Sequence, residues 1–171
     1  MDTSPVDHLR VDIALERRDR RIRAVGLAIL AAVTLAGVLG VFGIRTGEVS
    51  ATGSEGTRLT VIHPSAARPG LAVPLEIVIH NAGGFDDQIE VSISTAYLQA
   101  HDHNVFHPVP SESTVDDDLT RWTYDPPGGD TLTVWVDHRL EPGVQWSQDG
   151  AVRVVTGEEV IDVEFTTRVF P

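Results

Sequence analysis

The chain contains no cysteine and no lysine, and its only methionine is Met1. Disulfides, thiolate nucleophiles, iron–sulfur clusters and copper sites built on Cys or Met are therefore excluded by composition. Small domains outside the cytoplasm often rely on disulfides, so any such domain here must hold together by packing and strand pairing alone. Catalytic motifs are missing too. No nucleophile elbow, phosphate-binding loop or helix with paired metal ligands can be read, and Gly53-Ser54-Glu55-Gly56 does not fit G-x-S-x-G. Carboxylates are plentiful but scattered, the usual pattern of solvated strand faces, and the expectation is a protein that is not an enzyme.

Charge is unevenly placed. Residues 1–23 carry six arginines (Arg10, Arg17, Arg18, Arg20, Arg21, Arg23) against five acids, whereas residues 46–171 carry six arginines against twenty acids. The long acidic part is expected to repel nucleic acid and anionic lipid headgroups, so nucleic acid is not an expected partner.

Between these parts, residues 24–44 read AVGLAILAAVTLAGVLGVFGI, with no charge and Thr34 as the only polar side chain. At 1.5 Å per residue this segment spans about 31 Å, the thickness of a bilayer's hydrocarbon core. Arginines crowd its N-terminal side and only Arg45 follows it. By the positive-inside rule, residues 1–23 form a cytoplasmic tail, 24–44 a transmembrane helix and 45–56 a small, polar, flexible stalk, leaving 57–171 outside the membrane. The expected location is the cell membrane, single-pass, with the lipid bilayer itself as one partner. A cleaved signal peptide ending at Val49-Ser50-Ala51 is the competing interpretation, but the apolar run is longer than a signal h-region and Arg45 interrupts the approach to that site. In the tail, Ser4-Pro5 is an N-cap followed by proline at the first helical position, and Val6, Leu9 and Ile13 share a face, which predicts a short helix. Ala24, Ala28, Ala32, Ala36 and Gly40 recur every four residues as a helix-packing ridge, the surface that lets a second membrane helix approach closely.

From residue 57 the period is two. Leu71, Val73, Leu75, Ile77 and Ile79 alternate with Ala72, Pro74, Glu76, Val78 and His80; Ile89-Val91-Ile93, Leu132-Val134-Val136 and Ile161-Val163-Phe165 repeat the pattern. Shorter strands are expected near 57–63, 119–125, 144–148 and 151–156. Pro69-Gly70, Asn81-Ala82-Gly83-Gly84, Pro126-Pro127-Gly128-Gly129, Pro142-Gly143, Asp149-Gly150 and Thr156-Gly157 read as breaks. Seven or eight short antiparallel strands without a helical period predict a mainly β, immunoglobulin-like sandwich, with Pro74 at an edge or near a strand start.

The stretch from Pro69-Gly70 through Val73-Pro74-Leu75-Glu76-Ile77-Val78-Ile79-His80-Asn81-Ala82-Gly83 resembles the start of bacterial immunoglobulin-like domains of the CARDB type, where a Pro-Gly turn leads into a strand ending in an Asn-x-Gly bend. The resemblance covers some fifteen residues. It implies an extracytoplasmic spacer, adhesion module or subunit of an envelope complex, with another membrane or envelope protein as partner and no cofactor.

Three features are singled out for chemistry. His101-Asp102-His103-Asn104-Val105-Phe106-His107 places three imidazoles in a predicted loop; His101, His103 and His107 are the candidate ligands for Zn or Cu, the alternative to a cofactor-free module. Asp116-Asp117-Asp118 is acidic enough for calcium but lacks the D-x-D-x-D-G loop and its terminal Glu. Trp135, between Val134 and Val136, and Trp146, beside Gln145 and Ser147, are expected to face outward as a protein-interface pair.

Overall fold

The computed structural model describes residues 5–40, 43–144 and 146–170, with side chains from Arg18 onward except those of His103 and Asn104. It falls into two compact units, Met1–Phe42 and Gly43–Pro171.

The first unit is one helix, α1 (Pro5–Val38). The expected tail helix and the start of the expected span are continuous, while Ser4 and the side chains of Val6, Leu9 and Ile13 lie outside the described residues. Ala, Leu and Arg, all strong helix formers, dominate the run. Its Arg18–Val38 portion is long and apolar enough to cross a membrane, and none of its most apolar window is buried within the protein. Thr34 is neutralised locally, its hydroxyl donating to the Leu30 carbonyl at 2.9 Å. The helix stops six residues before Ile44, where the sequence predicted its end. Gly40 takes a left-handed φ of 69° and donates to the Gly37 carbonyl at 3.0 Å, a glycine stop that ends the α-helical ladder. Gly40 is thus a terminator and not the last step of the small-residue ridge, which on the helix comprises Ala24, Ala28, Ala32 and Ala36.

The second unit is an immunoglobulin-like antiparallel β-sandwich. It comprises β1 (Arg45–Thr52), β2 (Arg58–Ala67), β3 (Ala72–His80), β4 (Ile89–Ser94), a short α2 (Thr95–Gln99), β5 (His101–His107), β6 (Glu112–Val115), β7 (Leu119–Tyr124), β8 (Thr131–Leu140), β9 (Trp146–Thr156) and β10 (Glu159–Val169). One sheet runs β1-β2-β3-β8-β5 and the other β10-β9-β4-β7-β6. They are stitched by a short parallel pairing of β2 with β10, Arg168 opposite Ala66 and Val169 opposite Ala67. The alternation read from the sequence is the burial pattern seen, except that Leu71, expected on the inward face, lies just ahead of β3 and is exposed. Leu75, Ile77 and Ile79 of β3 meet Leu132, Val134 and Val136 of β8 and, across the sandwich, Val91, Val154, Ile161 and Val163 in one core, while Val73 belongs to a second, smaller cluster with Ala67, Leu140 and Val169. Phe106 of β5 stacks on Trp122 of β7 with ring centres 4.3 Å apart. Pro74 sits near the start of β3, where the β2 side is still open, because that pairing begins only at Glu76 opposite Ile62. After β3 the predicted bend forms through Asn81, whose side-chain oxygen accepts the Gly83 amide at 2.9 Å.

Four expectations are corrected. The flexible stalk 45–56 contains a strand: β1 pairs along β2 from Thr52 opposite Arg58 to Arg45 opposite Ala66, and Gly53–Gly56 is its hairpin turn. Small polar residues suffice for an outer strand, whose hydrogen bonds come from the backbone. The His101–His107 segment is a strand and not a loop. The two strands predicted at 144–148 and 151–156 are one, β9, running through Asp149-Gly150. Gly150 is required there by close approach and not by a turn, since a Cβ would lie 2.5 Å from Phe165 Cζ and 3.0 Å from Tyr97 Cδ2. Finally, β6 and α2 had no counterpart in the sequence reading.

Candidate functional site

The histidine strand is read against its neighbour. On β5, His101 pairs with Leu140, Asp102 with Arg139 and His103 with His138; then an irregularity shifts the register, so that Val105 pairs with Asp137, Phe106 with Val136 and His107 with Trp135. The extra residue changes which face each side chain takes. His101 therefore points into the core, 3% exposed, whereas His107 is exposed beside Trp135 on the outer face. The structure does not bring His101 and His107 together. The side chain of His103 lies outside the described residues.

What it does bring to His101 is His138, 1% exposed, with ring centres 4.6 Å apart and planes at 65°. Both rings are oriented by backbone. His101 Nδ1 donates to the Tyr97 carbonyl at 2.7 Å and His138 Nδ1 to the Val136 carbonyl at 3.2 Å. A carbonyl can only accept, so Nδ1 carries a proton in each ring. From this pair a chain of rings continues inward: His101 to Tyr97 at 4.4 Å, Tyr97 edge-on to Phe165 at 5.1 Å, and Phe165 to His63 at 4.6 Å. Burial pushes the Tyr97 phenol up to about 12, partly offset by its hydrogen bond to the Thr167 hydroxyl, so it stays a neutral hydrogen-bonding group. Burial also lowers the pKa of His63, opposed by its bond to the Pro64 carbonyl. Its ring fits because Gly47, directly opposite on β1, has no side chain.

His63 and His138 were not singled out from the sequence, although the signal was present. Each continues an inward alternation, Leu59-Val61-His63 and Leu132-Val134-Val136-His138-Leu140. Glu159 was missed as well. It is 4% exposed, and its Oε1 accepts the Glu55 amide at 2.6 Å, fastening the β1–β2 turn from β10.

The remaining candidates sit on the surface. Asp116-Asp117-Asp118 is the β6–β7 turn, held by its own backbone and by the Asp116 carboxylate accepting the Asp117 amide at 2.8 Å. Trp135 is 51% exposed in the middle of β8, and Trp146 is 83% exposed where β9 begins, with a left-handed φ of 73°. The third tryptophan, Trp122, is 4% exposed. Among the described residues no three His, Asp or Glu side chains form a group able to hold a metal ion.

No protein-family model matches the chain, and no curated protein matches it. Among solved structures, the CaDoc0917–CaCohA2 complex has a chain 12% identical with a TM-score of 0.43, over 61% of this chain and 94% of that one. The sulfur carrier protein SoxY from Chlorobium limicola f thiosulfatophilum is 12% identical with a TM-score of 0.39, over 82% and 99%. The sixth cohesin from the scaffoldin B of Acetivibrio cellulolyticus is 6% identical with a TM-score of 0.40, over 75% and 99%. At these scores the likenesses assign neither a family nor a ligand.

Proposed function

We propose that the chain is a non-catalytic, membrane-anchored module whose extracytoplasmic sandwich recognises or supports another envelope protein. The carrying observation is the contrast among the tryptophans: one is committed to the core while Trp135 and Trp146 stand in solvent, large amphipathic side chains of the kind that anchor protein contacts. The apolar stretch of α1, flanked on one side by arginines, supports the anchor with its N-terminus in the cytoplasm. Retention of that helix is supported by β1, because cleavage after Ala51 would remove nearly all of a strand paired along β2. Within the immunoglobulin-like class, the Pro69–Gly83 stretch favours the CARDB type and so a spacer or envelope-complex role. The alanine ridge of α1 offers a second contact surface within the bilayer.

The test is co-purification of the full chain from mild detergent. Trp135→Ala with Trp146→Ala, or Ala32→Leu with Ala36→Leu, is expected to strip a specific protein from the preparation while the sandwich stays folded by circular dichroism. Truncating an interface tryptophan that fills a partner's pocket costs upwards of about 2 kcal/mol. If both double variants keep the wild-type set of partners, or the wild type has none, the module reading fails.

A further inference from the structure

The outward residues of the sandwich are unevenly spread along its strands. We infer that the end of the sandwich at which β1 begins rests on the membrane surface: Leu71, Trp146 and Phe170 enter the phospholipid headgroup layer, and Arg45, Arg139 and Arg168 meet anionic headgroups. The inference rests on the anchor reading of α1 and goes beyond it. It assigns Trp146 to lipid and leaves Trp135 for the protein partner.

Three observations carry it. First, strand register gathers these residues at one end. Ala66 is the register partner of both Arg45 on β1 and Arg168 on β10, Ala72 pairs with Arg139, and Val169 pairs with Trp146. The Phe170 amide donates to the Ala67 carbonyl at 3.0 Å, and the Leu71 carbonyl accepts the Leu140 amide at 3.3 Å. Leu71, Trp146 and Phe170 are all exposed, an apolar and aromatic rim.

Second, charge is polarised along the strands. The loops at the opposite end hold six acids, Glu55, Asp86, Asp87, Asp125, Asp130 and Glu158, and no arginine. Arg121 and Arg153 are taken up by Glu90 and Asp162, whereas Arg45, Arg139 and Arg168 form no ion pair among the described residues. The acidic loops stand about 33 Å away along a strand the length of β10, several Debye lengths at physiological salt. The strongly negative total of the domain is therefore a poor guide to this end. Asp102, opposite Arg139, and Glu141 are the acids beside the arginines. Asp116–Asp118 is set back, because Val115 is level, through Thr120, Ile93 and Val152, with Val163, six residues short of Val169.

Third, the chain itself tethers this end. Only residues 39–44 separate Val38 of α1 from Arg45, and six residues reach at most about 21 Å. A tryptophan ring suits the headgroup level, being apolar in body with one polar N–H. Arginine is attracted by anionic lipid within a Debye length of the surface. The competing account is an ordinary loop end in water.

The chain has no cysteine, so single cysteines report position. Leu71→Cys, Gly128→Cys in an acidic loop of the opposite end, and Ala32→Cys in α1 are each labelled with a nitroxide. The full chain is reconstituted in vesicles of phosphatidylglycerol and phosphatidylcholine. Electron paramagnetic resonance compares access of oxygen, which concentrates in lipid, with that of a nickel complex, which stays in water. The oxygen-to-nickel ratio is expected to be several-fold higher for the Leu71 label than for the Gly128 label. Adding Trp146→Ser with Phe170→Ser, or Arg139→Gln with Arg168→Gln, should bring it down to the Gly128 value while circular dichroism stays unchanged. Salt near 1 M, where the Debye length is about 3 Å, should lower it too. A Leu71 label as open to nickel as the Gly128 label overturns the inference, and so does one that neither the arginine pair nor salt moves. A label shielded from oxygen and nickel alike would mean that protein covers this end, which also overturns it. Should the aromatic pair not fold, the arginine pair and salt decide. An Ala32 label in water removes the anchor reading and this inference together; an Ala32 label in lipid with the Leu71 label in water removes this inference alone.

Discussion

The two units use the same side chains in opposite ways. In α1, Leu27, Ile29, Leu30 and Leu35 are each more than half exposed; in the sandwich, Leu59, Leu75, Ile77 and Ile79 are at most 1% exposed. Leu and Ile are equally apolar in both places, so composition alone does not decide which of them are covered. The sandwich removes its apolar surface from water by packing. The Arg18–Val38 stretch of α1 is apolar yet not covered by the protein, the pattern that fits the proposed span through a bilayer.

The comparison breaks most sharply under a buried charge. Val163→Asp puts an unpaired carboxylate into the core, where Val163 is 7% exposed, and should abolish cooperative unfolding of the sandwich by circular dichroism. Leu30→Asp should leave that transition intact and instead release the chain from washed membranes, because an acid near the centre of a spanning helix costs about 2.5–3.5 kcal/mol of insertion. If Leu30→Asp stays in the membrane fraction, α1 is not the anchor. Volume gives the next contrast. Gly150→Ala drives a methyl into Phe165 and Tyr97 and should lower stability by about 1–3 kcal/mol in urea denaturation. Gly37→Ala meets nothing within 4 Å and should leave the sandwich unchanged; equal effects would mean that Gly150 is not tightly enclosed.

Protonation is a smaller lever. Because burial lowers the folded pKa of His63, the unfolded chain, near 6.5, takes up the proton first. Stability contributed by the neutral ring is therefore lost as pH falls below about 6.5 and levels off beneath the folded value. His63→Leu should flatten this acid limb in urea midpoints measured from pH 7.5 to pH 5, and an unchanged limb would remove His63 from the account. The smallest effect is expected at the surface. Asp162 accepts two hydrogen bonds from Arg153, at 2.7 and 3.2 Å, but both side chains are about half exposed. Asp162→Asn should stay within about 0.5 kcal/mol of wild type by the same denaturation, against the unfolding caused one position away at Val163.

These pairs also mark what could be read from the sequence. β3, β8 and β10 were legible because one face of each is apolar and the other polar, so side-chain chemistry alone reports the period. β1 was not, since only Val49 and Ala51 of its small and polar run pack on the core and the strand is held by main-chain bonds to β2. β9 was split in two because Asp149-Gly150 has turn chemistry, and only the rings of Tyr97 and Phe165 show why a glycine stands there. The outward tryptophans followed from their neighbours' alternation. The histidines were noticed by composition, but sequence proximity joined His101 to His107, which the shifted register puts on different faces, and missed His138, 37 positions downstream on β8, whose ring packs on His101.

The parallel stitch between β2 and β10 has a consequence for how the protein is made. Its partners, Ala66 with Arg168 and Ala67 with Val169, stand at opposite ends of the sandwich's sequence, and Val169 packs in a buried cluster with Ala67, Val73 and Leu140. A chain emerging N-terminus first has almost the whole of the first sheet available before it has the strand that joins that sheet to the second. Closure must wait for β10, so the sandwich cannot be completed while its earlier strands are being made. In the interval the apolar faces of both sheets are open to whatever receives the chain. A chain cut off before Arg168 would lack this seam, and quality control should treat that product as unfolded instead of shortened.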